Sequence, residues 1–158
     1  MSAPRVIYHL LNDHAPLTSV VNNRIYFGVI PQSASLPAIT YSLISENEDT
    51  AVGLTTLKLR SRVQVTIASK SYAEVITVRQ LVKIACNNKQ GLFNGVQVDS
   101  VIADGVGADF RDDDLRIYYT TIDFRLHHDE WTEESNSLLL AGLDTFLVTG
   151  SNVRLRTS

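Results

Sequence analysis

The chain is poor in the residues that usually announce a chemistry. It has a single cysteine, Cys86, so no internal disulfide can form. The neighbours of Cys86, Leu81 to Ala85, read as buried helix, which points to an inert thiol; a nucleophile needs an exposed, electropositive setting. Charge of one sign is also lacking. Fourteen Lys and Arg against 17 Asp and Glu give a net charge of −3. That balance excludes a generic DNA-coating protein, which needs basic surface to displace counterions. No apolar run approaches the roughly 20 residues that span a bilayer, and the N-terminus lacks the pattern of a secretory leader. The expectation is a soluble protein made in the cytosol, with no membrane contact.

Catalytic and ligand-binding motifs are missing as well. There is no G-x-S-x-G elbow, and His9 and His14 have no nucleophile pattern around them. Asp104-Gly105-Val106-Gly107 lacks the third glycine and the following helix of a phosphate loop, so it reads as a turn. Asp112-Asp113-Asp114 lacks the spacing and closing Glu of a calcium loop. The one dense run of ligand-type residues is His127-His128-Asp129-Glu130. Adjacent strand residues point to opposite faces, so this run cannot converge on one metal ion. A small metal-dependent enzyme using His127, His128 and Asp129 is therefore the weaker alternative. The expectation is no enzyme, no catalytic residue, no metal and no cofactor.

What is present is a core. The hydrophobic fraction is 44% and the charged fraction 20%, enough apolar material for one folded domain and against global disorder. Val6, Ile7, Leu10 and Leu11 fall on one face at helical spacing, after Ser2 as a cap and Pro4 in the first turn. Pro16 interrupts, and Leu17, Val20 and Val21 suggest a second short turn. Asn22-Asn23 is a turn signal. Residues 24–30 and 38–44 read as strands bounded by Pro31 and Pro37. Residues 45–53 read as an exposed acidic loop. From Leu57, apolar Leu59, Val63, Val65 and Ile67 alternate with Lys58, Arg60, Arg62, Gln64 and Thr66, a strand of about 35 Å that can project as a ribbon. Ser71 and Glu74 form a capping box for a helix with Val75, Val78, Leu81, Val82 and Ala85 as its buried stripe. Asn87-Asn88 and Gly91 end it. Residues 93–102 read as short strands around an Asn94-Gly95 hairpin turn, and residues 104–114 as a turn-rich loop. Residues 115–126 form the last strong strand. Leu115, Ile117 and Tyr119 lie on one face of it, and Tyr118, Ile122 and Phe124 on the other, so both faces expect cover.

Charge is uneven along the chain. Residues 1–128 hold 12 basic and 12 acidic residues, leaving two basic and five acidic for residues 129–158 (14 − 12 and 17 − 12). The division expected is a domain over 1–128 and a C-terminal extension or arm over 129–158, where apolar clusters are separated by a polar break.

The order of segments carries a resemblance. A helix leads into Arg24-Ile25-Tyr26, then Pro31-Gln32 and Leu36-Pro37-Ala38. A strand ends in Ala68-Ser69-Lys70-Ser71-Tyr72-Ala73-Glu74 and runs into a helix. Tyr118 to Leu126, "YYTTIDFRL", closes the core. This pattern, over roughly residues 5–128, resembles the tail-completion, or tail-terminator, proteins of long-tailed bacteriophages. The resemblance implies an α+β fold: a β-sheet with long hairpin or ribbon strands and two helices packed on one face. It implies a six-fold ring of the chain with itself at the head-proximal end of the tail. Such a ring ends growth of the tail-tube protein, docks to a head-closure or connector protein, and lets genomic DNA pass through its lumen. Localisation in the virion at the head–tail junction follows from the same resemblance. The candidate contacts with neighbouring subunits or the tube are Glu46, Glu48, Asp49, Lys58, Arg60, Arg62 and Tyr118. The candidate arm contacts are Trp131, Leu138, Leu139, Leu140 and Phe146. Rival readings within the same assembly are a head-closure stopper or a tail-tube subunit; outside it stand the metal enzyme and a generic ligand-binding domain.

Overall fold

The computed structural model describes residues 2–49 and 58–130. It is an α+β fold in which three helices cover one face of a seven-stranded sheet. The elements run α1 (Ser2–Asn12), α2 (Ala15–Val21), β1 (Ile25–Phe27), β2 (Ala38–Asp49), β3 (Lys58–Ser69), α3 (Tyr72–Cys86), β4 (Lys89–Phe93), β5 (Val96–Val106), β6 (Phe110–Asp112) and β7 (Ile117–Asp129). Strand order is β1-β2-β3-β7-β5-β4, with β6 added beside β7. Among the described strands, β1 and β2 are parallel and the other pairs are antiparallel.

The core lies between the helices and the inner sheet face. Val6, Ile7 and Leu11 of α1, Leu17 and Val21 of α2, and Val78 and Val82 of α3 pack with Ile39, Val63, Val65, Ile67, Ile122, Phe124 and Leu126. The alternation read along β3 is the cause, because its odd-numbered residues all face inward and its even-numbered ones outward. The second apolar turn around Leu17 is a separate seven-residue helix with Pro16 in its first turn, so the sheet carries three helices rather than two. Arg24 anchors the segment after it, donating from Nε to the Pro37 carbonyl (2.9 Å) and from a terminal nitrogen to that of Val20 (3.1 Å).

Several boundaries differ from the sequence reading, each for a local reason. The strand expected over 24–30 is only three residues long, ended by Gly28 at φ +82°. The acidic loop expected from Ser45 is strand: β2 continues to Asp49 because β3 is long enough to pair with it throughout. The β2–β3 hairpin is long, as expected, but β3 does not project. It is flanked by β2 and β7 over its whole length, from Lys58↔Asp129 to Ser69↔Tyr118. Residues 104–114 hold the end of β5 and all of β6 rather than loop alone. Leu115 belongs to the turn before β7, where Asp112 Oδ1 accepts from the backbone N–H groups of Asp114 and Leu115. Asn94-Gly95 is the tight turn expected, with φ of 50° and 82° at its two positions.

The capping box at α3 is built through a relay. Ser71 Oγ accepts from the Glu74 N–H at 3.4 Å. The Glu74 carboxylate accepts instead from the Ser69 hydroxyl, and Ser69 Oγ accepts from the Ser71 N–H at 3.2 Å. Ser69 is buried, so this corner joins β3 to α3 rigidly.

Three bulges interrupt the β2–β3 and β5–β7 pairings, and the β4–β5 pairing also shifts register between Lys89 and Gly91. One extra residue, Ile44, sits between Leu43 and Ser45 on β2; Asp99 and Asp104 are the extra residues on β5. Each shifts the alternation by one. On β5 the inward residues therefore run Val96, Val98, Val101 and Ala103, at spacings of two, three and two.

Candidate functional site

The chemically rich part of the molecule is the end of the sheet where β2 finishes, β3 starts and β7 finishes. There the two faces differ sharply. The outer face carries a ladder of ion pairs. Lys58 Nζ bonds to Asp129 and lies 3.1 Å from Asp99. Arg60 meets Asp49 at 3.6 Å, and Arg62 pairs with Asp123, which also accepts from Gln64 at 3.0 Å. Arg125 meets Asp104 at 2.9 Å. Both β5 bulge residues are aspartates, and each reaches a cation of this ladder. The hydrogen bonds from Lys58 to Asp129 and Asp99 hold its ammonium above the ordinary lysine range. Asp123 does the same for Arg62.

Between the rows lies a shallow polar hollow of about 460 Å³, lined by Asn47, Arg60, Arg62, Asp104, Arg125 and His127 among others. Its charges are largely compensated within the chain. The basic stripe Lys58, Arg60 and Arg62 read from the sequence is therefore an internal ladder, each member with a carboxylate of its own subunit.

The inner face of the same end holds a polar trio, in which Ser61 and His128 are buried and Glu46 reaches solvent. The β2 bulge turns Glu46 inward, opposite Ser61. Ser61 Oγ lies 3.0 Å from Glu46 Oε2 and 2.8 Å from His128 Nε2. His128 is fully buried, and its Nδ1 lies 2.8 Å from the Asp129 carbonyl oxygen. Desolvation pushes the imidazole below its usual value, against the hydrogen bond to Asp129 and the charges of Glu46 and Asp129, which raise it. This is not a nucleophilic triad. The carboxylate touches the serine, whereas an activated serine needs it on the far nitrogen of the ring, and Ser61 is buried.

The sequence-level candidates are thus dispersed. Glu46 lies in the trio, and Glu48 follows two residues on, exposed. Asp49, Lys58, Arg60 and Arg62 lie on the outer ladder. Tyr118 stands at the opposite end of β7, against the Tyr72 ring (5.7 Å between centroids) and beneath the Arg111 guanidinium. His127 and Asp129 face outward and His128 inward, so the three do not converge; among the described residues no cluster of three metal-ligating side chains occurs. Trp131, Leu138, Leu139, Leu140 and Phe146 lie outside the described residues. Ser61 was missed, yet its signal is in the sequence: it is the one hydroxyl among the inward-facing residues from Leu59 to Ile67. His128 likewise continues the inward series Ile122, Phe124 and Leu126.

A second network ties α3 to β6 and β7. Asp109 accepts from Tyr72 Oη (2.8 Å) and from Arg79 (3.2 Å), and Arg79 also donates to Thr120 Oγ1 (3.0 Å). Hydrogen bonding from Thr120 and Tyr72, with Arg79 alongside, holds the Asp109 carboxyl below the ordinary carboxylate value.

Comparison with known proteins gives a likeness among solved structures. No protein-family model matches the chain, and no curated protein matches it. Among solved structures it is similar to a chain of the virion of a native gene transfer agent (GTA) particle, at a TM-score of 0.63 and 15% identity. The match covers 79% of this chain and 92% of that one, so the two share a fold over nearly all of the virion chain.

Proposed function

We propose that this chain is a structural virion protein of a tailed, phage-like particle, and that within it the protein is a tail terminator. It forms a six-fold ring at the head-proximal end of the tail, stops tube growth and joins the tail to the head connector. The observation that carries the reading is the likeness of the whole fold to a chain of a gene transfer agent virion. The segment order from Arg24-Ile25-Tyr26 to Tyr118–Leu126 supports the finer assignment to the terminator layer.

The physical character of the surface supports an assembly role. An outer face of compensated ion pairs gives a subunit little net field, which suits a channel wall that lets DNA slide without holding it. The acidic end of β2 and the ladder beside it offer polar, salt-sensitive contacts to a tube subunit. The C-terminal extension, with Trp131, Leu138, Leu139, Leu140 and Phe146, is assigned to contacts with neighbouring subunits or the head side.

The test is electron microscopy of particles made without this gene. Overlong tails beside unattached, filled heads establish the terminator. Tails of normal length beside unattached heads move the protein to a connector layer. Intact, infectious particles sink the proposal. Restoring the gene without residues 132–158 checks the extension: head–tail joining should fail, and normal joining removes that part of the assignment.

A further inference from the structure

The sheet has an open edge along the outer half of β2. On one side, β3 pairs with β2 as far as Asp49; on the other, β1 reaches it only from Ile39 to Tyr41. Residues 42–49 therefore keep one edge without a strand partner among the described residues. In an antiparallel pair, alternate residues aim their N–H and C=O groups away from the partner. That row is a template for one more strand. Residues 44–49 are all exposed.

This edge carries a charge pattern. It holds Glu46, Glu48 and Asp49 and nothing basic. Glu46 and Glu48 stand two apart on one face, opposite Ser61 and Leu59. Glu48 has no ion pair or side-chain hydrogen bond among the described residues. The cations of the neighbouring strands, Lys58, Arg60, Arg62 and Arg125, are matched to aspartates on the outer face. Like charges across a strand pair repel, so two copies of this edge reject each other, and a basic strand suits it. Residues 152–158 have that character. Arg154 and Arg156 also stand two apart, between Val153 and Thr157, which favour strands. They are the two basic residues of the extension, and its acidic residues all lie before them.

We propose that residues 152–158 of the same chain add as a strand to the open edge of β2, with Arg154 beside Glu48 and Arg156 beside Glu46. The reach is ample. Asp49 and Asp129 both pair with Lys58, so the end of β7 lies two strand spacings from the end of β2, about 10 Å. Residues 130–151 span about 70 Å when extended. The direction follows from the same geometry. The chain leaves β7 at the end of the sheet where β2 finishes, so the added strand enters beside Asp49 and runs antiparallel to β2. Leu155 then stands opposite Asn47. The pairing ties the extension to the domain at both ends. The inference does not depend on the virion reading.

The test is amide hydrogen exchange of the full chain, with a disulfide cross-link beside it. Residues 42–49 and 152–158 should be protected together. Arg154→Glu should lower the protection of both segments by about 1.5- to 5-fold or more, the worth of one exposed ion pair. Adding Glu48→Lys reverses both charges and should restore it. Glu48 has no other side-chain partner among the described residues, so this swap leaves the domain's own packing alone. For the cross-link, Asn47→Cys is combined with Leu155→Cys, and Cys86 is buried away from both. Mild oxidation of the dilute chain should give an internal disulfide in a monomer. Unprotected residues 152–158, equal protection with and without Arg154→Glu, or no cross-link overturns the proposal. A disulfide joining two molecules also overturns it, since the strand then comes from a second copy.

Discussion

Single side chains in this protein are held by close neighbours, and their tolerances follow. Cys86 is fully buried, and burial pushes its thiol far above the ordinary range. It should resist a thiol reagent in the folded chain, with labelling that follows global unfolding; fast labelling under native conditions contradicts the packing. Gly107 donates its N–H to the Thr121 carbonyl at 2.9 Å, and a Cβ there would fall 2.0 Å from Thr121 Oγ1. Thr121 is β-branched and stiff. Gly107→Ala should therefore cost about 1–3 kcal/mol in urea unfolding, and adding Thr121→Ala should recover most of it. Phe124, fully buried, should cost about 3–5 kcal/mol as Phe124→Ala.

The joints between elements explain what the sequence disclosed and what it withheld. β3, α1, α3 and the Asn94-Gly95 turn were legible because their signals are local: period two, period 3.6, a serine before a helix, a positive-φ pair. β6, the outer half of β2 and the bulges were not, because they exist only through partners distant in sequence. Glu46 looked like a loop residue; it lies on strand β2, where a bulge turns its exposed side chain toward Ser61. The charged stripe Lys58–Arg60–Arg62 was visible, but its partners Asp49, Asp99, Asp123 and Asp129 come from three other strands, and only the fold matches them. The Ser69 relay is of the same kind. Ser69→Ala should cost about 1–2 kcal/mol, as much as a direct cap, since it removes hydrogen bonds to both Glu74 and Ser71. The Asp109 network carries a pH dependence. Its carboxyl is held below the ordinary value, so its stabilisation is complete above that value and is lost as pH falls through the lowered one. Asp109→Asn should flatten the acid limb of a stability-versus-pH curve; an unchanged limb would mean the network contributes nothing measurable.

At the scale of the whole molecule, near-neutrality is the property that matters most. The purified chain should show no measurable retention on duplex DNA at about 0.15 M salt, where counterion release rewards only basic surfaces; tight binding there would contradict a channel-wall role. The three bulges bear on something else, the length of the chain. Ile44, Asp99 and Asp104 are surplus to the pairing, since the residues on either side of each already face consecutive partners on the adjoining strand. Deleting any one closes the ladder and leaves every downstream partner in place. Single-residue gaps inside these strands are therefore compatible with the fold, although a gap within a strand ordinarily inverts it. Two of the three deletions would also remove an aspartate from the outer ladder, so at these positions the chain can shed a residue and a charge in one step.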